Sequence, residues 1–300
     1  MAKMTLQDLA NKYFLSNDYS SLAHRTQLEY EYYMRVLLDT KVEGKALSST
    51  NVKYMTGAKA RQAYEQWLQR GVYMANHMCA VARKMYSFGM EMGFVEANPF
   101  TTFKRKQVKP RKVVWRKDQI VSFLDYCYSH FEFRNLGLIA QMAYEWCQRV
   151  GDMRMLKFEY IDFDNRVLNL EQSKRGAVVH LPIEDDLYDM LVQQKEDFGF
   201  QDYVAPYFKP QNGVYSPYKL DRLSRHAREA ITLAELPDTL RIADLRRTGT
   251  TEMVEAGVTM GQIMAVTGHA SPNSVKPYMK NTYTSAESAL TARKKHVTST

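Results

Sequence analysis

Cysteine is scarce. Cys79, Cys127 and Cys147 are the only three, odd in number and far apart. That pattern supports neither a disulfide framework nor a paired-cysteine metal site. No stretch approaches the ~20 uninterrupted apolar residues of a membrane span. The amino end, MAKMTLQDLA, carries a lysine but lacks the apolar segment of a secretion signal. Also missing are the GxSxG of serine hydrolases, the HExxH of zinc proteases and the glycine-rich phosphate loop, and the seven histidines show no paired ligand spacing. An intracellular protein outside the common hydrolase and NTPase classes is expected.

What is present is a chain of 300 residues, 45% hydrophobic, long enough to bury a sizeable core and most naturally divided into two domains. Its formal net charge of +8 is unevenly placed. Residues 1–103 hold 12 basic and 9 acidic side chains, and residues 118–300 hold 21 basic and 24 acidic. The segment 104–117, KRKQVKPRKVVWRK, holds eight basic residues and no acidic one. Such a block repels itself and reads as an extended, solvated linker. It suits either contact with a phosphate backbone or a solubilising tether, and charge alone leaves both open.

The first domain reads as four amphipathic helices. Thr5-Leu6-Gln7-Asp8 has the form of a capping box, followed by Leu6, Leu9, Ala10, Tyr13 and Phe14 at helical spacing. The pattern returns at Tyr30–Leu38, at Ala60–Leu68 and at Met74–Phe88, with Gly93 as a stop. The tyrosine and methionine stripes are core positions in this reading. Beyond 117, helical patterns cover Asp118–His130 and Leu136–Gln148. Three short β-rich runs follow, Phe158–Phe163, Arg166–Glu171 and Val178–Ile183, separated by Asp164-Asn165 and Ser173-Lys174-Arg175-Gly176. These separators are turn chemistry, so a small antiparallel meander is expected before the chain returns to helices.

A series of short motifs runs through the second half in fixed order. Gln148-Arg149-Val150-Gly151-Asp152 precedes the meander, and Lys174 lies on its second turn. Asp244-Leu245-Arg246-Arg247-Thr248 opens a helix, Thr267-Gly268-His269 closes another, and Tyr278 stands nine residues beyond His269. In order, type and approximate spacing the set resembles the tyrosine recombinases of the phage integrase type, the family that includes the Xer recombinases. Arg149 with Asp152 matches the first box, Lys174 the hairpin lysine, Leu245-Arg246 the second box, Gly268-His269 the third, and Tyr278 the nucleophile. Gly93–Pro99, ending in Asn98-Pro99, resembles the close of the family's core-binding domain. The chain departs at Ala243, where the family usually has histidine.

The resemblance implies a mainly α fold with a small antiparallel β-sheet. Residues 1–103 would form a helical, core-type DNA-binding domain, 104–117 a basic interdomain linker, and 118–300 a catalytic domain with a tail from about 281. It implies site-specific DNA recombination through a 3′-phosphotyrosine on Tyr278, without a cofactor. Arg149 and Arg246 would bind the phosphate oxygens, His269 would add a hydrogen bond, and Lys174 would protonate the leaving 5′ oxygen. Asp152 would orient Arg149. Lys104, Arg105, Lys106, Lys109, Arg111, Lys112, Arg116 and Lys117 would contact DNA. The partners implied are double-stranded DNA, a homotetramer on synapsed DNA that is monomeric or weakly associated without it, and accessory bending or directionality proteins. The tail, with Ala286, Leu290 and Ala292, would pack on a neighbouring subunit. With Met1 almost at the first helix, no arm-binding domain is expected before it. The setting implied is cytoplasmic, on a bacterial nucleoid, with a phage or mobile element as the source. Two alternatives stay open: a cleavage-impaired DNA-binding relative, on account of Ala243, and a type IB topoisomerase-like nicking enzyme, which would relax DNA without site preference.

Overall fold

The computed structural model describes residues 4–174, 176–279 and 283–298. The chain divides into two compact units, Met1–Arg111 and Lys112–Thr300. No described helix is long and apolar enough to cross a membrane.

The first unit is built from α1 (Leu6–Phe14), α2 (Asn17–Ser20), α3 (His24–Asp39), α4 (Gly57–Leu68) and α5 (Val72–Glu91). The capping box forms: Asp8 N–H donates to Thr5 Oγ1 at 3.1 Å, and Thr5 N–H donates to Asp8 Oδ2 at 2.9 Å. The helices enclose Leu9, Tyr13, Met34, Leu37, Trp67, Met78 and Tyr86, all buried. Two short strands, β1 (Lys41–Val42) and β2 (Lys45–Ala46), make a hairpin that the helical periodicities did not reveal. Its Glu43-Gly44 turn takes positive φ at both residues, the geometry of a tight hairpin. Gly93 also has positive φ just past the end of α5, as its place as a stop requires.

The expectation of a wholly solvated segment over 104–117 is corrected at both ends. Lys106 N–H donates to Tyr64 Oη, and its carbonyl accepts from Asn76, both at 2.8 Å, within the first unit. In the second unit Trp115 is buried in the core, with its backbone N–H on Thr248 Oγ1 at 3.0 Å and its indole N–H on the Arg241 carbonyl. An indole surrounded by arginine and lysine in sequence still contributes more by burial than its neighbours lose by standing around it. Arg116 and Lys117 remain exposed, and Lys117 opens α6.

The second unit continues with α6 (Lys117–Ser129), α7 (Phe131–Glu145), the single turn α8 (Val150–Met153), α9 (Asp185–Phe198), α10 (Leu220–Leu233), α11 (Leu245–Glu255), α12 (Met260–Thr267) and α13 (Tyr283–Thr298). Strands β3 (Ile161–Asp162), β4 (Val167–Glu171) and β5 (Val178–Pro182) form the antiparallel meander in that order. Leu168 faces Leu181 and Leu170 faces Val179, all buried, while Asn169 and His180 alternate outward. Phe158–Tyr160, expected as strand, is a 3-10 turn instead. Phe158 N–H bonds the Asp202 carbonyl, so a loop takes the hydrogen bond a neighbouring strand would have offered.

Candidate active site

Three chain segments converge on the motif residues. The first is the end of α7. Cys147 turns with φ of 50°, and Gln148 and Arg149 follow before α8 begins. The second is α11, which crosses close to α7 because Gly249 has no side chain. A Cβ there would stand 2.6 Å from the Tyr144 carbonyl and 2.7 Å from Cys147 Sγ. That close approach brings Arg246, one turn earlier, beside Arg149. The third is the end of α12, which terminates on Gly268 in the left-handed conformation, φ 67°.

Buried glutamines fasten these segments together. Gln172, at the end of β4, donates to Gln148 Oε1 at 2.6 Å and to the Thr267 carbonyl at 2.8 Å, and accepts from Arg149 Nη1 at 2.6 Å. Gln148 donates to the carbonyls of Trp146 and Val266. The Gln172 amide lies against Gly268, where a Cβ would meet its Nε2 at 2.5 Å. Neither glutamine stood out as functional in the sequence. The signal available was a glutamine ending a buried strand face, which reads just as well as a surface position.

Arg246 is buried, only 7% exposed, on the first turn of α11. Its Nη2 donates to the Thr267 carbonyl at 2.9 Å and faces His269 Nε2 at 3.3 Å. Thr267 Oγ1 gives its one proton to the Ile263 carbonyl, so it accepts from His269 Nδ1–H at 2.7 Å. The ring is thereby held between Thr267 and Arg246, with Nε2 turned toward the guanidinium. Arg246 Nη1 is buried and has no acceptor among the described residues. Burial, then the neighbouring Arg149 cation, pull this guanidinium below its ordinary pKa, while Tyr278, Cys147 and Asp152 act the other way.

Arg149 sits closer to solvent, its Nη1 3.6 Å from Asp152 Oδ2. Asp152 is buried and accepts from the Ser173 hydroxyl and backbone N–H, tying Arg149 to the hairpin turn that carries Lys174. Lys174 is exposed on that turn. Arg175 lies outside the described residues.

Tyr278 is half-buried and ends a 3-10 turn, Lys276–Tyr278, that packs on α11, and Val275 just before the turn is fully buried. Its ring centroid is 5.8 Å from that of His269, and the Arg247 guanidinium lies over it at 4.9 Å. Arg149, Asp152, Arg246, His269 and Tyr278 are thus gathered in one place. Ala243 is exposed on the 3-10 turn before α11. His226, the histidine nearest to Ala243 in sequence, is used elsewhere. It stacks on Phe133 and Phe208, with Nδ1 3.2 Å from Tyr218 Oη.

The basic residues of 104–117 divide between the units. Lys104, Arg105 and Lys106 line a concavity of about 610 Å³ with Asn76 and Arg83. Arg105 donates to the Asn76 carbonyl, and Lys109 is exposed. Arg111 is half-exposed, Lys112 is exposed, and Arg116 pairs with Asp118 at 2.7 Å. A cavity of about 640 Å³ elsewhere in the second unit is walled by Glu145, Glu184, Asp185, Asp186 and Glu252, a lining that repels phosphate.

Two guanidiniums, an imidazole and a phenol thus lie together on a mainly α fold with a small antiparallel sheet. Residues 114–285 match the Phage integrase family, and the chain belongs to it. It is a tyrosine recombinase, an enzyme that cuts and rejoins DNA in site-specific recombination. The fold agrees with solved structures. The Tn1549 transposon integrase, residues 82–397, in complex with a circular intermediate DNA aligns at TM-score 0.77 and 18% identity over 96% of this chain and 99% of that one. Lambda integrase aligns at 0.73 and 16% as a dimer bound to a COC′ core site, over 93% of this chain and 78% of that one. As a tetramer bound to a Holliday junction, it aligns at 0.76 and 16% with the same coverage. No curated protein matches significantly in sequence.

Proposed function

We propose that Tyr278 is the nucleophile and that the pair Arg149 and Arg246 holds the scissile phosphate of double-stranded DNA. The observation that carries this is the buried Arg246 Nη1 with no acceptor, beside a second arginine and the tyrosine. A buried charged donor left unmatched is costly, and so is a like-charged neighbour; an anion with two free oxygens relieves both at once. Tyr278 Oη forms a bond to phosphorus as the bond from phosphorus to O5′ breaks. The phenol proton passes to water, since Ala243 offers no acceptor, and the Lys174 ammonium gives a proton to the departing O5′. Charge growing on the non-bridging oxygens is met by the two guanidiniums, the largest electrostatic contribution of such a site. His269 contributes a further hydrogen bond from Nε2 when that nitrogen carries a proton, and Asp152 orients Arg149. The 3′-phosphotyrosine conserves the energy of the phosphodiester, so the returning 5′ hydroxyl can reseal the strand without a cofactor.

In this reading residues 1–103 form the core-type DNA-binding domain and 118–300 the catalytic domain, with 104–117 crossing the backbone between them. Lys104, Arg105, Lys106, Lys109, Arg111, Lys112, Arg116 and Lys117 meet phosphates. The working assembly on synapsed DNA is a tetramer. The tail from about 281 bridges subunits; Ala286 and Leu290 are exposed, while the side chain of Ala292 lies outside the described residues. The substrate belongs to a phage or mobile element on a bacterial nucleoid, with accessory bending or directionality proteins.

Nicked suicide duplexes tiled from DNA flanking the gene test the assignment. Wild-type protein in EDTA should give an SDS-resistant adduct, and Tyr278→Phe should give none while keeping its DNA affinity. Equal adduct from the phenylalanine variant would remove Tyr278 from the reaction. Binding without adduct in the wild type would favour a cleavage-impaired relative, the alternative that Ala243 raises.

A further inference from the structure

We propose that Arg247, which lies outside the second-box pattern, is a positioning residue that clamps the ring of Tyr278 beside Arg246 and His269. The proposal rests on Tyr278 being the nucleophile and adds how its ring is held. Arg246 and Arg247 are successive on α11, so they leave the helix about 100° apart. Arg246 goes inward, and Arg247 stays half-buried at the rim. From there its guanidinium lies over the Tyr278 ring, 4.9 Å from the centroid. The His269 ring is an aromatic neighbour on the site side, 5.8 Å away and inclined by 45°.

The backbone alone does not fix that ring. Tyr278 ends a 3-10 turn preceded by the buried Val275, and the next residue, Met279, is exposed. A tyrosine at the end of a short turn keeps its side-chain rotamers unless something holds the ring. A planar cation on its face does so without touching the phenol oxygen, which stays free to attack. Because Arg247 shares α11 with Arg246, the clamp registers the nucleophile against the arginine that binds the phosphate. Lysine supplies the charge but not the planar stacking surface, so it substitutes in part.

The alternative role is a direct phosphate contact, and the two separate experimentally. A clamp acts on the rate of cleavage once DNA is bound; a phosphate contact acts on affinity and its salt dependence. Two measurements are needed on the full chain. The first is 19F NMR of protein labelled with 3-fluorotyrosine and free of DNA, with the Tyr278 resonance identified by its loss in Tyr278→Phe. The second is the single-turnover rate of adduct formation on the suicide duplex, with the dissociation constant measured alongside.

Arg247→Gln should move the Tyr278 resonance toward the position of an exposed tyrosine. It should slow cleavage about 3- to 30-fold, the range a cation over a ring supports, and leave the dissociation constant within about twofold. Arg247→Lys should recover part of both the shift and the rate. A resonance unmoved by Arg247→Gln, an unchanged rate, or a loss confined to affinity would each overturn the proposal. If the wild type forms no adduct while the resonance shift persists, the clamp stands as a ring contact and the nucleophile assignment fails instead.

Discussion

The two units bury different things. In the first, tyrosines aside, Asn98 is the one buried polar or charged side chain among the described residues. In the second, fourteen are buried, including Gln148, Asp152, Gln172, Arg246 and Thr267 around the site. The helices of the first unit close on apolar and aromatic surface, whose burial is non-directional and tolerant. The second unit closes on a polar network in which each group must find its partner, and at the site Arg246 Nη1 is left without an acceptor among the described residues. An interior that keeps donors unmatched is less stable than it could be, and those donors are what a phosphate would use.

The contrast is sharpest in a pair of substitutions. Arg246→Met keeps the volume and removes the charge. Adduct formation should fall at least about 10³-fold, since a donor aimed at the developing oxyanion is worth about 10²–10³ and here the whole cation is lost. Thermal stability should hold or rise, because a buried, partly unmatched cation is replaced by an apolar chain. Trp67→Ala in the first unit should do the reverse. Trp67 is buried, stacked on Phe100 with planes 7° apart, and donates to Thr40 Oγ1 at 2.8 Å. Its loss should cost about 3–5 kcal/mol in the unfolding of that unit, read by denaturant titration. A large stability loss from Arg246→Met would break the comparison, as would a stable first unit without Trp67.

Gln172→Ala is the intermediate case. It cuts the tether of Arg149, leaves the Gln148 amide oxygen without its donor, and removes one of the two donors on the Thr267 carbonyl. Cleavage should fall about 10²-fold through misplacement of Arg149, with DNA affinity little changed. A drop in affinity equal to the drop in rate would make Gln172 a scaffold for binding rather than for the transition state.

How much of this the sequence revealed divides along the same line. Elements set by local chemistry were legible: the Thr5–Asp8 capping box, the four long helices of the first unit, and the meander with Asp164-Asn165 and Ser173–Gly176 at its turns. Arg149, Arg246, His269 and Tyr278 stood out in the sequence through the order of their motifs and the family resemblance, and the structure brings the four side chains together. What escaped depends on contacts distant in sequence. Phe158 turns away from strand because Asp202 takes its hydrogen bond. Trp115 is buried through Thr248 and Arg241, more than 120 residues on. Gln148 and Gln172 matter through each other and through Thr267, and Arg247 through Tyr278. A polar residue's type says that it needs a partner and not where that partner is.

The smallest expected effect concerns His226, a buried polar group of the second unit that no part of the proposed chemistry uses. Burial among Phe133, Phe208 and Tyr218 pulls its pKa below the ordinary imidazole value, with Glu229 and Glu132 acting weakly the other way. The folded state therefore holds it neutral. Below the ordinary value near ~6.5 the unfolded chain binds a proton that the folded chain does not, so stability falls as the pH falls. The loss continues until the pH passes the lowered folded value and then levels. The slope contributed is at most about 1.4 kcal/mol per pH unit. His226→Gln should flatten the pH dependence of the second unit's melting temperature below about pH 6.5 while leaving cleavage at neutral pH within about twofold. An unchanged slope would mean that the aromatic pocket around His226 does not set the acid limit of the unit.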